Sequence, residues 1–287
     1  MAAQIFAYGI IIGAFYGLVA IGLALLFGIM RYMNIAHGTF MVIGGYISFW
    51  LFTFWHVDPF VSIPIVILAM FLIGFIVYRV VFSPLRKYPE EQRMNSSMLI
   101  TFGLILVMDN TAMLLWTSDV RTITTPYSGG TFQLLGVRLP LTGVAMLGVT
   151  IIVIFALHLF LNRTYLGKSI RATAENWEAA NLLGINIDRT YLISCGISIA
   201  LAGVAGTGTA VMYSISPGSG LEWLLIAMVV LVLAGMGNIK SVFFAGLLLG
   251  LLEQVSVYFV GGHYRSVVGL VLFVLILILR PKGLFVR

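Results

Sequence analysis

Asp109, in LVMDNTAM, and Glu253, in LLLGLLEQVSVY, are acids set inside long apolar stretches, and they bring this sequence nearest to a reactive group. A carboxylate at mid-bilayer costs roughly 2.5–3.5 kcal/mol on insertion scales, so it is retained for an interhelical hydrogen bond or for a proton relay. Neither acid has an intramembrane Lys or His beside it in sequence, which favours the hydrogen bond. The four histidines, His37, His56, His158 and His263, fall on four separate segments, and no HExxH, GxSxG or CxxC occurs. Cys195 is the one cysteine, which excludes an internal disulfide and a cysteine-built metal site. With no converging nucleophile, base and oxyanion donors, the sequence predicts no catalytic residue, no metal site and no cofactor.

One fragment imitates a phosphate-binding loop. NRTYLGKS at 162–169 ends in the required Gly-Lys-Ser, but Asn162 stands where the first glycine must be, and a long apolar run, rather than a soluble strand, ends at Leu161. If ATP is used, another chain binds it.

The segments that hold these residues must face lipid. Of 287 residues, 61% are hydrophobic and 9% charged, where a soluble domain runs at about 45–50% and about 25%. Apolar runs at 5–29, 38–56, 60–82, 97–117, 141–161, 191–213, 222–237, 241–260 and 266–279 recur from end to end, and most are long enough to cross ~30 Å of hydrocarbon. They predict an all-α polytopic membrane protein, one transmembrane domain over 1–287, with about nine crossings. The last run is short at about 21 Å, and His263 or Tyr264 could extend it. The first run lacks a basic leader and is too long for a cleaved signal.

Thirteen of the sixteen Lys and Arg fall in the loops 30–37, 79–96, 162–190, 238–240 and 280–287. Positive loops stay in the cytoplasm, so the N-terminus lies outside and the C-terminus inside. The net charge of +6 is thus used in orientation, and no basic stripe interleaved with aromatics calls for nucleic acid.

Two polar breaks interrupt the apolar pattern. In the first, at 30–46, Arg31, Asn34 and His37 precede a run bearing Gly38, Thr39, Gly44 and Gly45. Broken helices free backbone polar groups, which must be buried in protein or line a cavity, so Asn34, His37, Gly38 and Thr39 are candidate translocation-path residues. Gly44 and Gly45 would allow helices to approach closely. A plain cytoplasmic turn is the alternative. A second break, VLAGMGNIKSVFFAG at 232–246, echoes the first.

The 162–190 loop is patterned differently. Residues 169–184 read as one amphipathic helix with Ile170, Ala174, Trp177, Ala180 and Leu183 on one face and Arg171, Glu175 and Glu178 on another. Ser169 would cap its start and Gly184 its end, and Arg171 would pair with Glu175. A polar face of mixed sign favours docking to a protein over lying on lipid.

With these residues assembled, the sequence resembles the integral-membrane permeases of bacterial branched-chain amino acid ABC importers. The likeness rests on FGIMRYMNIAHGTFMVIGGY at 27–46, SPLR at 83–86, GKSIRATAENWEAANLLGINIDRT at 167–190, GMGNI at 235–239 and LRPKGLF at 279–285, and spans nearly the whole chain. It implies a type II-like permease with discontinuous segments in the bacterial cytoplasmic membrane, carrying branched-chain or related hydrophobic amino acids inward. Implied partners are a second homologous permease, two cytoplasmic ATPase subunits and an external solute-binding protein. Glu178, Ala179, Ala180 and Gly184 match the EAA-x-x-x-G coupling motif of importer permeases, beside Arg171, Glu175 and Trp177. The Ile-x-Leu-Pro that often follows is absent, and Lys240-Ser241 replaces the Pro-Gly frequent after GMGNI. Related permeases for urea and short amides, and a proton-coupled secondary transporter using Asp109 or Glu253, are the alternative functions.

Overall fold

The computed structural model describes residues 2–134, 136–235, 237, 239–261, 265–280 and 283–285. Met236, Asn238, His263, Tyr264, Pro281 and Lys282 of the motifs above lie outside the described residues.

Helix α1 (Ala2–Met30) is apolar on every side, and a helix without a polar face belongs in a core. It is nearly all buried, as is α8 (Ile187–Met212). Around this pair pack α2 (His37–Trp55), α3 (Pro59–Val77), α9 (Gly220–Ala234) and α10 (Ile239–Val260). Helices α4 (Glu90–Trp116) and α5 (Leu141–Arg163) are peripheral, with only 11% and 22% of their apolar windows buried. Among the described residues seven helices are long and apolar enough to cross a membrane. Nine crossings were expected; beside these seven, α9 and α11 (Arg265–Leu279) are shorter helices. At 15 residues each, the short pair span about 22 Å.

Glycines set the closest contacts. Gly9, Gly13 and Gly17 of α1 meet Leu251, Leu247 and Phe243 of α10 in antiparallel order. A Cβ on Gly13 would lie 2.7 Å from the Leu247 Cα, so the two backbones touch. Lipid tails give helices no hydrophobic reason to associate, which leaves such backbone packing as the adhesive. Gly44 and Gly45 lie against Gly203 and Gly206 of α8 in the same way.

The long connection expected at 118–140 is partly stranded: Thr131–Leu134 pairs antiparallel with Val137–Pro140. Upstream, Arg121 pairs with Ile215 and the Ile123 N–H donates to the Ala210 carbonyl at 2.9 Å. The Arg121 guanidinium stacks on Trp50, 5.1 Å from the ring centre. Nearby, Tyr127 donates to Asp58, and burial together with that carboxylate pushes its phenol up to about 12.

At the opposite end the single helix expected over 169–184 is two: α6 (Tyr165–Glu175) and α7 (Trp177–Leu182). Asn176 breaks them, leaving helical geometry (φ −153°) so that its side chain can accept from the Ala179 N–H and cap α7. Thr164, not Ser169, caps α6, by accepting from the Gly167 N–H. Gly167, Lys168 and Ser169 therefore lie within a helix, and no phosphate-cradling loop forms there. Gly184 does end α7, at φ +82°. Among the described residues no ion pair joins Arg171 to Glu175.

Candidate functional site

After Met30 the chain turns at Arg31 (φ +56°) and runs back beside α1. The evidence for the return is His37, whose Nε2–H donates to the Val19 carbonyl at 3.0 Å. Val19 lies eleven residues before Met30, about 16 Å back along α1. Helix α2 thus starts inside the bundle. Of the two readings of the 30–46 break, a re-entrant segment describes it better than a plain turn.

A second helix starts at the same depth. From Ile215, level with Gly45, residues 216–219 descend to Gly220, the first residue of α9. A Cβ on Gly38 would lie 1.8 Å from the Gly220 carbonyl oxygen, and one on Gly220 would lie 2.7 Å from the Thr39 nitrogen. Both starts are buried, and neither carries a side-chain cap. Helix N-termini present free N–H groups and about +0.5 charge each, so two that meet form a concentrated positive end. The break at 213–219 lies between the apolar runs 191–213 and 222–237, and neither run marks it. Its signal was Pro217-Gly218, with Gly218 at φ +103°.

The residues named from sequence fall out as follows. Asn34 and His37 are fully buried, and nothing among the described residues hydrogen-bonds the Asn34 amide or the His37 Nδ1. Gly38 and Thr39 line the contact with α9. Asp109 joins them: its carboxylate lies beside the Thr39 side chain. Glu253 is bonded elsewhere: it accepts from the Tyr16 hydroxyl at 2.8 Å, tying α10 to α1. The GMGN break sits farther along, with Gly28 against Gly237, and so does not mirror the first.

Helix α4 grips the re-entrant segment along one stripe, at positions 93, 97, 101 and 109. Arg93 lies beside Tyr32. The Ser97 Oγ accepts from the Met33 N–H and the Thr101 Oγ1 from the Ile35 N–H, each at 3.1 Å. Asp109 meets Thr39. Spacings of four keep Arg93, Ser97 and Thr101 on one ridge, and the backbone donors of an irregular segment thereby find partners.

Arg93 also faces the other way, 6.0 Å from the centre of the Trp177 ring on α7. Arg93, Trp177, Glu178, Tyr191 and Asp188 line a cavity of about 690 Å³ between α7 and the start of α4. Asp188 holds Arg86 at 2.6 Å and Arg79 at 3.2 Å, and accepts from Tyr78. Ala180 is buried and anchors α7, while Trp177, Glu178, Leu182 and Leu183 are exposed. The expected apolar face is thus divided: Ile170 and Ala180 pack inward, Trp177 and Leu183 do not.

Residues 5–279 match the family described as the permease component of the branched-chain amino acid transport system. The chain is 33% identical to the high-affinity branched-chain amino acid transport system permease protein BraD of Pseudomonas aeruginosa, over 97% of this chain and 94% of that one. It is 28% identical to the LivH permease of Escherichia coli K12, over 97% and 94%. A probable LivH of Methanocaldococcus jannaschii is 24% identical over 93% and 87%. No solved structure matches the chain.

Proposed function

Because the chain belongs to the branched-chain amino acid transport permease family, we propose that it forms half of the membrane path of an ATP-driven importer for branched-chain amino acids. It is a multi-pass membrane protein and a transport subunit; ATP hydrolysis belongs to separate subunits of such importers. The observation that carries the reading is the chain of contacts from the exposed α7, through Arg93, to Tyr32 and the buried start of α2. The basic loops set α6 and α7 in the cytoplasm, where one of two ATPase subunits would dock on Trp177, Glu178, Leu182 and Leu183 and on the polar side of α6 that bears Arg171 and Glu175. A second, homologous permease completes the path, and an external binding protein delivers the amino acid.

Mechanically, closure of the ATPase dimer moves α7. Arg93 passes the displacement to α4 and Tyr32, and the α4 stripe carries residues 31–39 with it. Gly38 and Gly220 touch in this structure, so the path at their depth is shut within one chain and opens only if α2 and α9 separate. A two-state bundle biased in this way by a rigid element is the general form of such switching.

The test is uptake of radiolabelled leucine by cells lacking the gene, complemented with wild type or Glu178→Lys. Wild type restores ATP-dependent uptake, and Glu178→Lys assembles but transports less than a tenth as fast. Full uptake by an assembled Glu178→Lys complex, or uptake that needs no ATPase subunit, would overturn the reading.

A further inference from the structure

We infer that Asp109 binds the ammonium group of a zwitterionic substrate whose carboxylate is taken by the starts of α2 and α9. The inference deepens the importer reading and rests on it.

Three observations converge. Asp109 is an acid within a membrane-crossing helix, and none of the ion pairs among the described residues includes it. An intramembrane acid faces a partner or a cavity and marks a functional site by default, and no cation among the described residues is paired with this one. Its position is the second observation: it is partly exposed and lies beside Thr39, the third residue of α2, whose backbone nitrogen faces the first residue of α9. Third, Asn34 in the re-entrant segment is fully buried with both amide atoms unpartnered among the described residues. A buried amide left unsatisfied is destabilising, so a polar ligand gains by reaching it.

Charge decides the ligand class. Two helix starts supply about +1 between them and one carboxylate supplies −1, so the site is neutral overall but strongly divided. A neutral ligand with separated charges, an α-amino acid zwitterion, matches both ends. A fatty acid would meet Asp109 with its own negative charge, an alkylamine would meet the helix starts with its positive one, and urea would use neither. Asp109 could otherwise serve only to neutralise the helix starts, or as a proton carrier, and both roles can be told apart from substrate binding.

The experiment compares wild type, Asp109→Asn and Asp109→Glu, each in the complete complex with its ATPase and binding-protein partners in proteoliposomes. It reads maximal uptake of radiolabelled leucine, ATP hydrolysis stimulated by the binding protein, and the melting temperature. Asparagine keeps the size and an acceptor beside Thr39 and removes only the charge. The inference expects Asp109→Asn to lose at least about tenfold in uptake with hydrolysis and melting little changed, and Asp109→Glu to recover a substantial part. Wild-type uptake by Asp109→Asn would overturn it. So would loss of assembly or a large fall in melting temperature in Asp109→Asn, which would make the acid structural, and so would wild-type uptake abolished by a protonophore at constant ATP, which would make it a proton carrier. If wild type itself takes up no leucine, or carries urea in its place, the importer reading fails and this inference falls with it.

Discussion

Arg93 lies between Trp177 and Tyr32, with its guanidinium 6.0 Å from the centre of the Trp177 ring. One side chain thus touches both the exposed helix α7 and the segment that enters the bundle. Arg93→Ala should leave the complex assembled and hydrolysing ATP while uptake per ATP falls, by roughly two- to thirtyfold if the stacking energy is what transmits the motion. Arg93→Lys should recover little, because an ammonium lacks the planar face that stacks. Equal losses of uptake and hydrolysis would mean that Arg93 serves docking and not transmission.

Thr101 holds the Ile35 N–H from α4. Thr101→Val keeps the shape and removes the acceptor, leaving a buried donor at a cost of about 1–3 kcal/mol. Hydrogen exchange should then speed up in peptides covering residues 31–36 while those from α8 stay protected. Unchanged exchange would show that α4 does not hold the segment.

Most of the fold was legible because a membrane span is a strong signal: some twenty apolar residues leave little else to read. Asn34 and His37 were legible for the converse reason, as polar residues in an apolar context. The descent at 216–219 was not, since Ser, Pro and Gly compose a re-entrant segment and an outer loop alike. The α4 stripe hid for another reason. Ser and Thr are common in membrane helices, where they bond to a carbonyl one turn back, as Ser97 and Thr101 also do, so their spacing does not stand out. The break at Asn176 was masked by a helical period that continues across it, although Asn at a cap is a known alternative to Asn inside a helix.

Gly206 and Gly103 make a matched pair. A methyl on Gly206 would fall 1.8 Å from the Met41 carbonyl oxygen, whereas one on Gly103 meets nothing within 4 Å. Gly206→Ala should lower the melting temperature in detergent markedly and reduce expression, since backbone must move to admit it. Gly103→Ala should be neutral or slightly stabilising, by up to about 1 kcal/mol from helix propensity. Equal effects would mean that the α2–α8 contact is looser than described.

Tyr16→Phe removes a donor from Glu253. A hydrogen bond of this kind contributes about 0.5–1.5 kcal/mol, so the variant should melt a few degrees lower yet transport at close to the wild-type rate per folded complex. A selective loss of transport with unchanged melting would return Glu253 to the pathway.

The glycine contact between α1 and α10 limits what can move. Side chains that interlock can change rotamer and slide, but two backbones in direct contact have nothing to rearrange, and they separate only by breaking the whole seam at once. Gly9, Gly13 and Gly17 meet α10 over more than two turns, which makes this pair the chassis of the transporter. Any motion is then left to parts held more lightly, such as α4, which the described residues fasten by polar contacts from Ser97 and Thr101 and by the stacking of Trp116 on Tyr46.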